Sequence, residues 1–232
     1  MGKYEHIKEE ALAANLMLPK LNLVLFTFGN VSAVDRDLGI FAIKPSGVPY
    51  EELEANSMVV VDFEGKTVEG KLRPSSDTKT HAVLYKNWTD IGGIAHTHST
   101  YATSWAQAQK AIPIYGTTHA DHLTVDVPCA PPMDDERITG NYEYETGFQI
   151  LDHFKSLGLN HLEVEMILVG NHAPFTWGCS AEKAVYNSAV LESLAQMAFF
   201  SEGINPSVHP MKDTLIKKHF DRKHGKDAYY GQ

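Results

Sequence analysis

The stretch GGIAHTHSTYATSWA, residues 92–106, combines a short apolar run, two histidines separated by one residue, and a run with helical spacing. The apolar residues before His96 predict a buried strand, and the run that follows predicts a helix behind it. In an extended strand, residues two apart point to the same face, so His96 and His98 should project together while Thr97 points away. The stretch therefore predicts a strand-to-helix unit that presents two imidazoles on one side.

Two imidazoles at this spacing can bind one ion, since neutral imidazole is a ligand of Zn, Mn, Fe or Co. The same spacing also fits a catalytic acid/base pair or two structural histidines on a strand, so the pair alone does not decide. A zinc ion acting as a Lewis acid needs three or four nitrogen or oxygen ligands and an open position. Three other segments carry groups of this kind: RPSSDTKTH (73–81), YGTTHADH (115–122) and VGNHAPFTWG (169–178).

Outside these segments the chain alternates helical and strand patterns. Helices are predicted over residues 8–20, 78–87, 100–110, 141–159, 180–202 and 211–225. Strands are predicted over residues 23–34, 40–47 and 91–98, and residues 164–178 are predicted as strand, turn, strand. A hairpin is predicted over 57–71, turning at Glu64–Gly65. Residues 115–122 are predicted as a polar loop. Without repeats or linkers, the pattern predicts one mixed α/β domain over residues 1–232, with a central sheet covered by helices.

Composition excludes several classes of function. The 232 residues carry a net charge of −9, so the chain has no electrostatic footprint for nucleic acid. The basic run KKHFDRKHGK, residues 217–226, fits either a solvated helix face or a local anion site. Two widely separated cysteines indicate a reducing compartment, and neither a signal peptide nor a membrane span is predicted. We therefore expect a cytoplasmic protein.

The common nucleotide-binding motifs are absent from this sequence. No two glycines stand two residues apart, which excludes G-x-G-x-x-G. The GKT at residues 65–67 lacks the upstream glycine of a P-loop, because Val60 occupies that position. No nucleotide cofactor is predicted.

Taken together, the segments resemble the class II aldolase/epimerase family, and within it the 4-epimerases of pentulose phosphates. The resemblance runs nearly end to end. It is carried by TFGNVSAVDRDLGIFAIKPSGVPY (27–50), KLRPSSDTKTH (71–81), IGGIAHTHSTYATSWAQA (91–108), PIYGTTHADH (113–122), NYEYETG (141–147), NHAPFTWG (171–178) and KHGKDAYYGQ (223–232). It implies a single α/β domain with a central, mostly antiparallel sheet covered by helices. It also implies a cyclic homotetramer with active sites between neighbouring subunits.

The same resemblance implies the site residues. The metal ligands are His96, His98 and His172, with Asp77 completing the site. The sister aldolases carry a glutamate acid/base at the place of Asp77, so the shorter aspartate favours an epimerase. Asp121 and Tyr230 match the two acid/base residues. The substrate and phosphate segments are matched by Gly29, Asn30, Ser46, Gly47, Ser75 and Ser76, with Lys44 and His219 as weaker candidates. His119 and His122 are expected to be structural or supporting residues.

The implied activity is epimerisation of L-ribulose 5-phosphate to D-xylulose 5-phosphate at C4, through cleavage and re-formation of the C3–C4 bond. The implied cofactor is a divalent ion, Zn²⁺ first and Mn²⁺ or Co²⁺ as alternatives. Three other functions stay open: an aldolase that releases both fragments, a sugar-phosphate dehydratase, and a non-catalytic scaffold like the adducin head. The scaffold should lack the metal histidines, and all three are present here.

Overall fold

The structure is a computed structural model that describes residues 2–225 and residue 228. Within these residues, eight strands form one sheet with the spatial order β4-β3-β2-β1-β5-β8-β7-β6. The strands are β1 Asn30–Asp35, β2 Ile40–Ile43, β3 Val59–Asp62, β4 Thr67–Glu69, β5 Gly93–His96, β6 Cys129–Ala130, β7 Met166–Val169 and β8 Pro174–Gly178. Of the strand pairs in the described residues, all are antiparallel except β6 with β7, which is parallel.

The described residues also form eight α-helices. They are α1 Glu5–Lys20, α2 Thr78–Asn87, α3 Thr100–Gln107, α4 Thr117–Ala120, α5 Asp135–Thr139, α6 Tyr142–Leu157, α7 Ala181–Ile204 and α8 Asp213–His224. Short 3₁₀ turns lie at Tyr50–Glu52 and Ala55–Ser57. No helix in the described part of the chain is long and apolar enough to cross a membrane.

The central strands are buried on both faces, because helices cover each side of the sheet. In β2, Phe41 and Ile43 belong to one apolar cluster, while Ile40 and Ala42 belong to the other. Successive side chains of a strand point to opposite faces, so this alternation places the sheet between two apolar layers. One layer contains α1 and the start of α7; the other contains α2, α3, α6 and the later part of α7.

Glycines in the opening stretch permit a close approach between β5 and the start of α7. A side chain on Gly93 would collide with the backbone of Ala181, and one on Gly92 with the carbonyl of Cys179. Ser180 caps α7 by accepting a hydrogen bond from the Lys183 amide. The close contact fixes β5, and with it His96, against the longest helix in the described chain.

Most predicted elements are present, although the strand predicted over 40–47 ends at Ile43, and neither β6 nor α5 was predicted. Residues 23–29 are irregular rather than extended, and β1 begins only at Asn30; Asn22 and Phe26 have positive φ, which breaks a strand. The predicted strand over 91–98 ends at His96. The loop predicted over 115–122 contains the helical turn α4, and His119 within it is buried rather than solvated. The hairpin at Glu64–Gly65 is as predicted, with the Gly65 amide bonded to the Asp62 carbonyl.

Candidate functional site

A cavity of about 460 Å³ opens at one end of the central strands. Its lining combines imidazole, carboxylate, hydroxyl and amide groups. The lining residues are Thr27, Phe28, Gly29, Asn30, Lys44, Pro45, Ser46, Gly47, Ser75, Ser76, Asp77, His96, His98 and His172. The cavity therefore gathers the predicted metal residues and the predicted substrate residues into one space.

Sheet order explains why the histidines meet. His96 is the last residue of β5, and β5 pairs with β8 so that His96 lies opposite Phe175. His172 lies in the tight turn that joins β7 to β8, where Asn171 adopts a left-handed conformation. An antiparallel neighbour brings this turn to the same end of the sheet as the end of β5.

The three imidazoles form a compact cluster. One nitrogen from each of His96, His98 and His172 lies within 4.8 Å of the others. The Nε2 atoms of His96 and His98 are 3.1 Å apart. His98 lies beyond the end of β5, so the predicted side-by-side placement is produced by the chain after the strand rather than by the strand itself.

Hydrogen bonding sets the tautomer of His96. Its Nδ1 lies 2.9 Å from the carbonyl oxygen of Pro174, which can only accept, so Nδ1 carries the proton. In a neutral imidazole the other nitrogen, Nε2, then keeps its lone pair, and this is the nitrogen that faces His98. A backbone carbonyl that orients a histidine through its second nitrogen is the usual support of a metal ligand.

Burial keeps the cluster neutral. It lowers the pKa of His96 to about 3, with a further contribution from His98. Burial, with a further contribution from the neighbouring His96, lowers the pKa of His172 to about 3, and burial also lowers the pKa of His98. Near pH 7 the three rings therefore offer lone pairs rather than positive charges, which is the form that binds a metal.

Asp77 stands beside this cluster at the N-terminal end of α2. Its Oδ2 is 4.0 Å from Nε2 of His96 and accepts a 2.7 Å hydrogen bond from Nδ2 of Asn30. Asn30 opens β1, directly opposite His96 in the sheet. Neighbouring strands and one helix end thus hold the carboxylate next to the imidazoles.

The donor set fits a divalent transition ion. Three imidazole nitrogens and one carboxylate oxygen are ligands that zinc accepts in catalytic sites. Among the described residues, Nδ1 of His172 and Oδ1 of Asn30 are buried without a hydrogen-bond partner, and both belong to residues lining the cavity. Such atoms indicate a site that is completed by a bound species.

Two turns form the other side of the cavity. The Ser46 amide donates to the carbonyl of Arg73 at 2.9 Å, and the Ser75 amide donates to the carbonyl of Lys44 at 3.0 Å. These bonds hold the turns around Ser46 and Ser75 next to each other, and Gly47 takes a positive φ of 72°. The neighbouring Ser76 is exposed. Paired turns with serine hydroxyls make a concavity suited to an anion.

Lys44 is buried next to the two serine turns. Its side chain is 1% exposed, and its ammonium donates to the carbonyls of Val48 at 2.9 Å and Thr27 at 3.2 Å. The ammonium also lies 4.8 Å from the ring centre of Tyr50. Burial lowers the pKa of Lys44 to about 8. A buried cation beside two serine turns adds electrostatic attraction for an anion.

Asp121 does not line this cavity. It follows α4 and is 8% exposed, in contact with α8. Its carboxylate accepts hydrogen bonds from Arg222 and from Nδ1 of His219, which the sequence suggested only as a weak candidate. Within one chain the predicted acid/base is thus separate from the histidine cluster. The other predicted acid/base, Tyr230, lies outside the described residues.

Arg222 is the polar contact that the sequence did not single out. It lies in the basic C-terminal run, for which the composition allowed either a solvated helix face or an anion site. A signal was available: His219 and Arg222 are three residues apart on a helix and share a face. The anion that His219 and Arg222 contact is the carboxylate of Asp121 in the same chain.

A family model described as the Class II Aldolase and Adducin N-terminal domain matches residues 9–199. The chain belongs to the class II aldolase family. The match covers all the residues of the histidine cluster and of both serine turns.

Curated relatives align over almost the whole chain. The L-ribulose-5-phosphate 4-epimerase UlaF of Salmonella paratyphi B is 50% identical over 229 residues, which cover 98% of this chain and 99% of the relative. The protein of the same name from Salmonella typhi matches equally, at 50% identity with 98% and 99% coverage. The family resemblance predicted from the sequence is confirmed.

Solved structures of proteins named as aldolases share the fold. An L-fuculose 1-phosphate aldolase superposes with a TM-score of 0.77 at 23% identity, covering 94% of this chain and 95% of the other. The L-fuculose 1-phosphate aldolase of Glaciozyma antarctica PI12 gives a TM-score of 0.77 at 18% identity, with 97% and 84% coverage. The predicted α/β fold with a mostly antiparallel sheet is confirmed.

Proposed function

We propose that this chain is an L-ribulose-5-phosphate 4-epimerase that converts L-ribulose 5-phosphate to D-xylulose 5-phosphate with the help of a divalent metal. The observation that carries the proposal is one cavity with a cluster of neutral imidazoles on one side and two serine turns on the other. A ketose phosphate has two ends that match these two sides: a hydroxyketone for the imidazole cluster with its metal, and a phosphate for the serine turns. Relatives named for this activity are 50% identical over 98% of the chain.

His96, His98 and His172 would hold the metal, with Asp77 completing the set. Zn²⁺ suits these ligands best, and Mn²⁺ or Co²⁺ are alternatives. When bound, such an ion supplies a Lewis acid for the oxygens at the ketose end of the substrate. The protein contributes orientation: Pro174 fixes the ring of His96, and Asn30 fixes the carboxylate of Asp77.

Carbon chemistry restricts the route. The hydrogen on C4 is not acidic, because C4 is not adjacent to the ketone, so simple deprotonation cannot invert it. When the C4 hydroxyl loses its proton, the C3–C4 bond can break. Its electron pair then remains on the dihydroxyacetone fragment as an enediolate, and C4 becomes the aldehyde of glycolaldehyde phosphate. Rotation of that aldehyde, re-formation of the bond on its other face and return of the proton to the C4 oxygen give the epimer.

The serine turns have a specific task in this route. Ser46, Gly47, Ser75 and Ser76, with Gly29, Asn30 and Lys44 behind them, would hold the phosphate while the aldehyde turns over. Retention of the fragment is what separates epimerisation from release of two products. The acidic chain, with a net charge of −9, needs such a local anion site to bind a phosphorylated sugar.

Inversion at C4 needs a proton acceptor and donor on each face of the aldehyde. We assign these tasks to Asp121 and Tyr230. Asp121 does not line the cavity of its own chain, so it would serve the cavity of a neighbouring chain. The assembly that allows every subunit both to give and to receive such a residue is a cyclic one, and a homotetramer is proposed.

Isotope effects test the reaction. With L-ribulose 5-phosphate and a divalent metal, carbon-13 at C3 and at C4 should each give a primary kinetic isotope effect, and deuterium at C4 only a small secondary one. A coupled assay for D-xylulose 5-phosphate measures the rates. A large primary deuterium effect would indicate hydride transfer and contradict the proposed route. Accumulation of free dihydroxyacetone at the rate of turnover would indicate an aldolase instead.

The ionisation of Lys44 gives a second test. Its lowered pKa means that the positive charge is present below pH 8 and is lost as the pH rises through about 8. The ammonium already donates to the carbonyls of Thr27, Pro45 and Val48, so Lys44 would act on the phosphate through its charge. When this charge is lost, kcat/KM should fall by about tenfold for each 1.4 kcal/mol of attraction removed. Lys44→Met should show a low kcat/KM that lacks this fall. A wild-type kcat/KM that stays flat up to pH 9.5, with KM unchanged, would contradict a role for Lys44 in phosphate binding.

A further inference from the structure

The carboxylate of Asp121 is enclosed by donors from α8, about a hundred residues later in the chain. Nε and Nη2 of Arg222 donate to Oδ1 at 3.1 and 2.9 Å, and Nη2 also donates to Oδ2 at 2.8 Å. Nδ1 of His219 adds a bond to Oδ1 at 3.0 Å. Oδ1 thus accepts from both residues, whereas Arg222 is the donor that Oδ2 meets among the described residues.

The same contacts fasten α8 to the protein. Nε2 of His224 lies 3.0 Å from the backbone carbonyl of Asp121 and donates to it. The apolar contact is small, with Ile216 packed against Ile114 and Ala120. The ion pair with Asp121 is therefore a main part of what docks this helix, whose last residue, His224, precedes the segment that carries Tyr230.

We infer that Arg222 is a positioning residue for the reaction: it orients the carboxylate of Asp121 and leaves Oδ2, which accepts fewer of the described hydrogen bonds than Oδ1, as the oxygen that takes the proton. The inference rests on the proposed acid/base role of Asp121.

Charges around Asp121 support this reading. Burial would raise the pKa of Asp121, but the hydrogen bonds from Arg222 and His219 and the charges of Arg222 and Lys223 outweigh it, so the pKa lies below its ordinary value. The other titratable groups nearby are His122, which is next in sequence, and His224 on α8. Lys183 of α7 faces His122. The forked guanidinium of Arg222 binds the carboxylate through both nitrogens, a geometry that lysine cannot reproduce.

A direct measurement of Asp121 tests the inference without relying on turnover. The Asp121 signal can be assigned in carboxylate carbon-13 NMR by comparing the wild type with Asp121→Asn. An arginine lowers a neighbouring aspartate pKa by about 1–3 units, so Arg222→Ala should raise the pKa of Asp121 by at least about one unit. Lys217→Ala, which removes an exposed cation elsewhere on α8, should leave it unchanged. An unchanged pKa in Arg222→Ala would overturn the inference.

Steady-state kinetics give a second test of the role of Arg222. Arg222→Ala should lower kcat by at least tenfold and move the acidic limb of the kcat/KM profile to higher pH, and free guanidinium should restore part of the loss. In an Asp121→Asn background the same change should cost little, because Arg222 acts through that carboxylate. Additive losses in the double variant would overturn the inference in an enzyme that is still active. A wild type inactive on L-ribulose 5-phosphate would instead contradict the proposed function, while the NMR result would still stand.

Should Arg222→Ala fold poorly, Arg222→Lys replaces it. The lysine keeps the charge and loses the fork, so the pKa of Asp121 should rise less than in the alanine variant while kcat still falls. Hydrogen exchange of residues 213–224 reports whether α8 stays docked. If hydrogen exchange, kcat and the pKa of Asp121 are all unchanged in Arg222→Lys, the positioning role is wrong.

Discussion

His96→Ala is expected to abolish stoichiometric metal binding and to lower kcat/KM by about 10³-fold or more, the scale of losing several kcal/mol of Lewis-acid stabilisation. His96 is chosen because its Nε2 faces His98 at 3.1 Å while Nδ1 is fixed by Pro174. Removal of the ring takes away one proposed ligand and opens space next to Phe175, which stacks on it. Elemental analysis of the purified proteins measures the metal, and the coupled assay measures the activity.

The matched control is His209→Ala, because His209 is an exposed histidine outside the cavity. It should keep the metal content and the rate of the wild type. Circular dichroism and the melting temperature of metal-free samples separate loss of a ligand from loss of the fold. Equal metal content in His96→Ala and the wild type, with equal kcat/KM, would show that the cluster is not the metal site.

Tyr230→Phe should lower kcat by about 10²–10⁴-fold, the usual contribution of a positioned acid/base, since it removes only the transferable proton. Tyr229→Phe, the adjacent residue, is the control and should cost far less. Each variant keeps an aromatic ring at its own position and loses only the hydroxyl group. A loss of the same size in both would indicate a general effect on the C-terminal segment rather than proton transfer.

Mixed assemblies test whether the acid/base works across an interface. Tyr230→Phe chains keep the histidine cluster, and His96→Ala chains keep the tyrosine, yet each assembly alone should be nearly inactive. In a cyclic assembly refolded from equal amounts, about a quarter of the sites would join an intact cluster to an intact neighbouring tyrosine, so about a quarter of the activity should return. Mass spectrometry of the intact assemblies verifies mixing. Mixed assemblies as inactive as their parents would contradict a tyrosine supplied by the neighbour.

Local structure was readable from the sequence because it depends on local periodicity. The helix predicted over 78–87 is α2, with the same bounds. The helix predicted over 141–159 ends where Gly158 adopts a left-handed conformation with φ of 63°, which glycine adopts without strain. The family segments also named residues that line the cavity, since a motif fixes residue types at set spacings. Residues 23–29 show the limit: their apolar pattern predicts a strand, but Phe26 has a positive φ and the segment is a loop, of which Thr27, Phe28 and Gly29 line the cavity.

By itself, then, the sequence determined the helices of eight or more residues and most strands, the family, and which residue types are available for chemistry. The tertiary structure decided which of them meet. His172 joins His96 because β8 lies beside β5, and Asn30 holds Asp77 because β1 lies on the other side of β5. Asp121 is held by α8, apart from the cavity lining of its own chain. Contacts between residues dozens to a hundred positions apart follow from strand order and helix docking, which are set by burial of the whole core and leave no local periodicity to read.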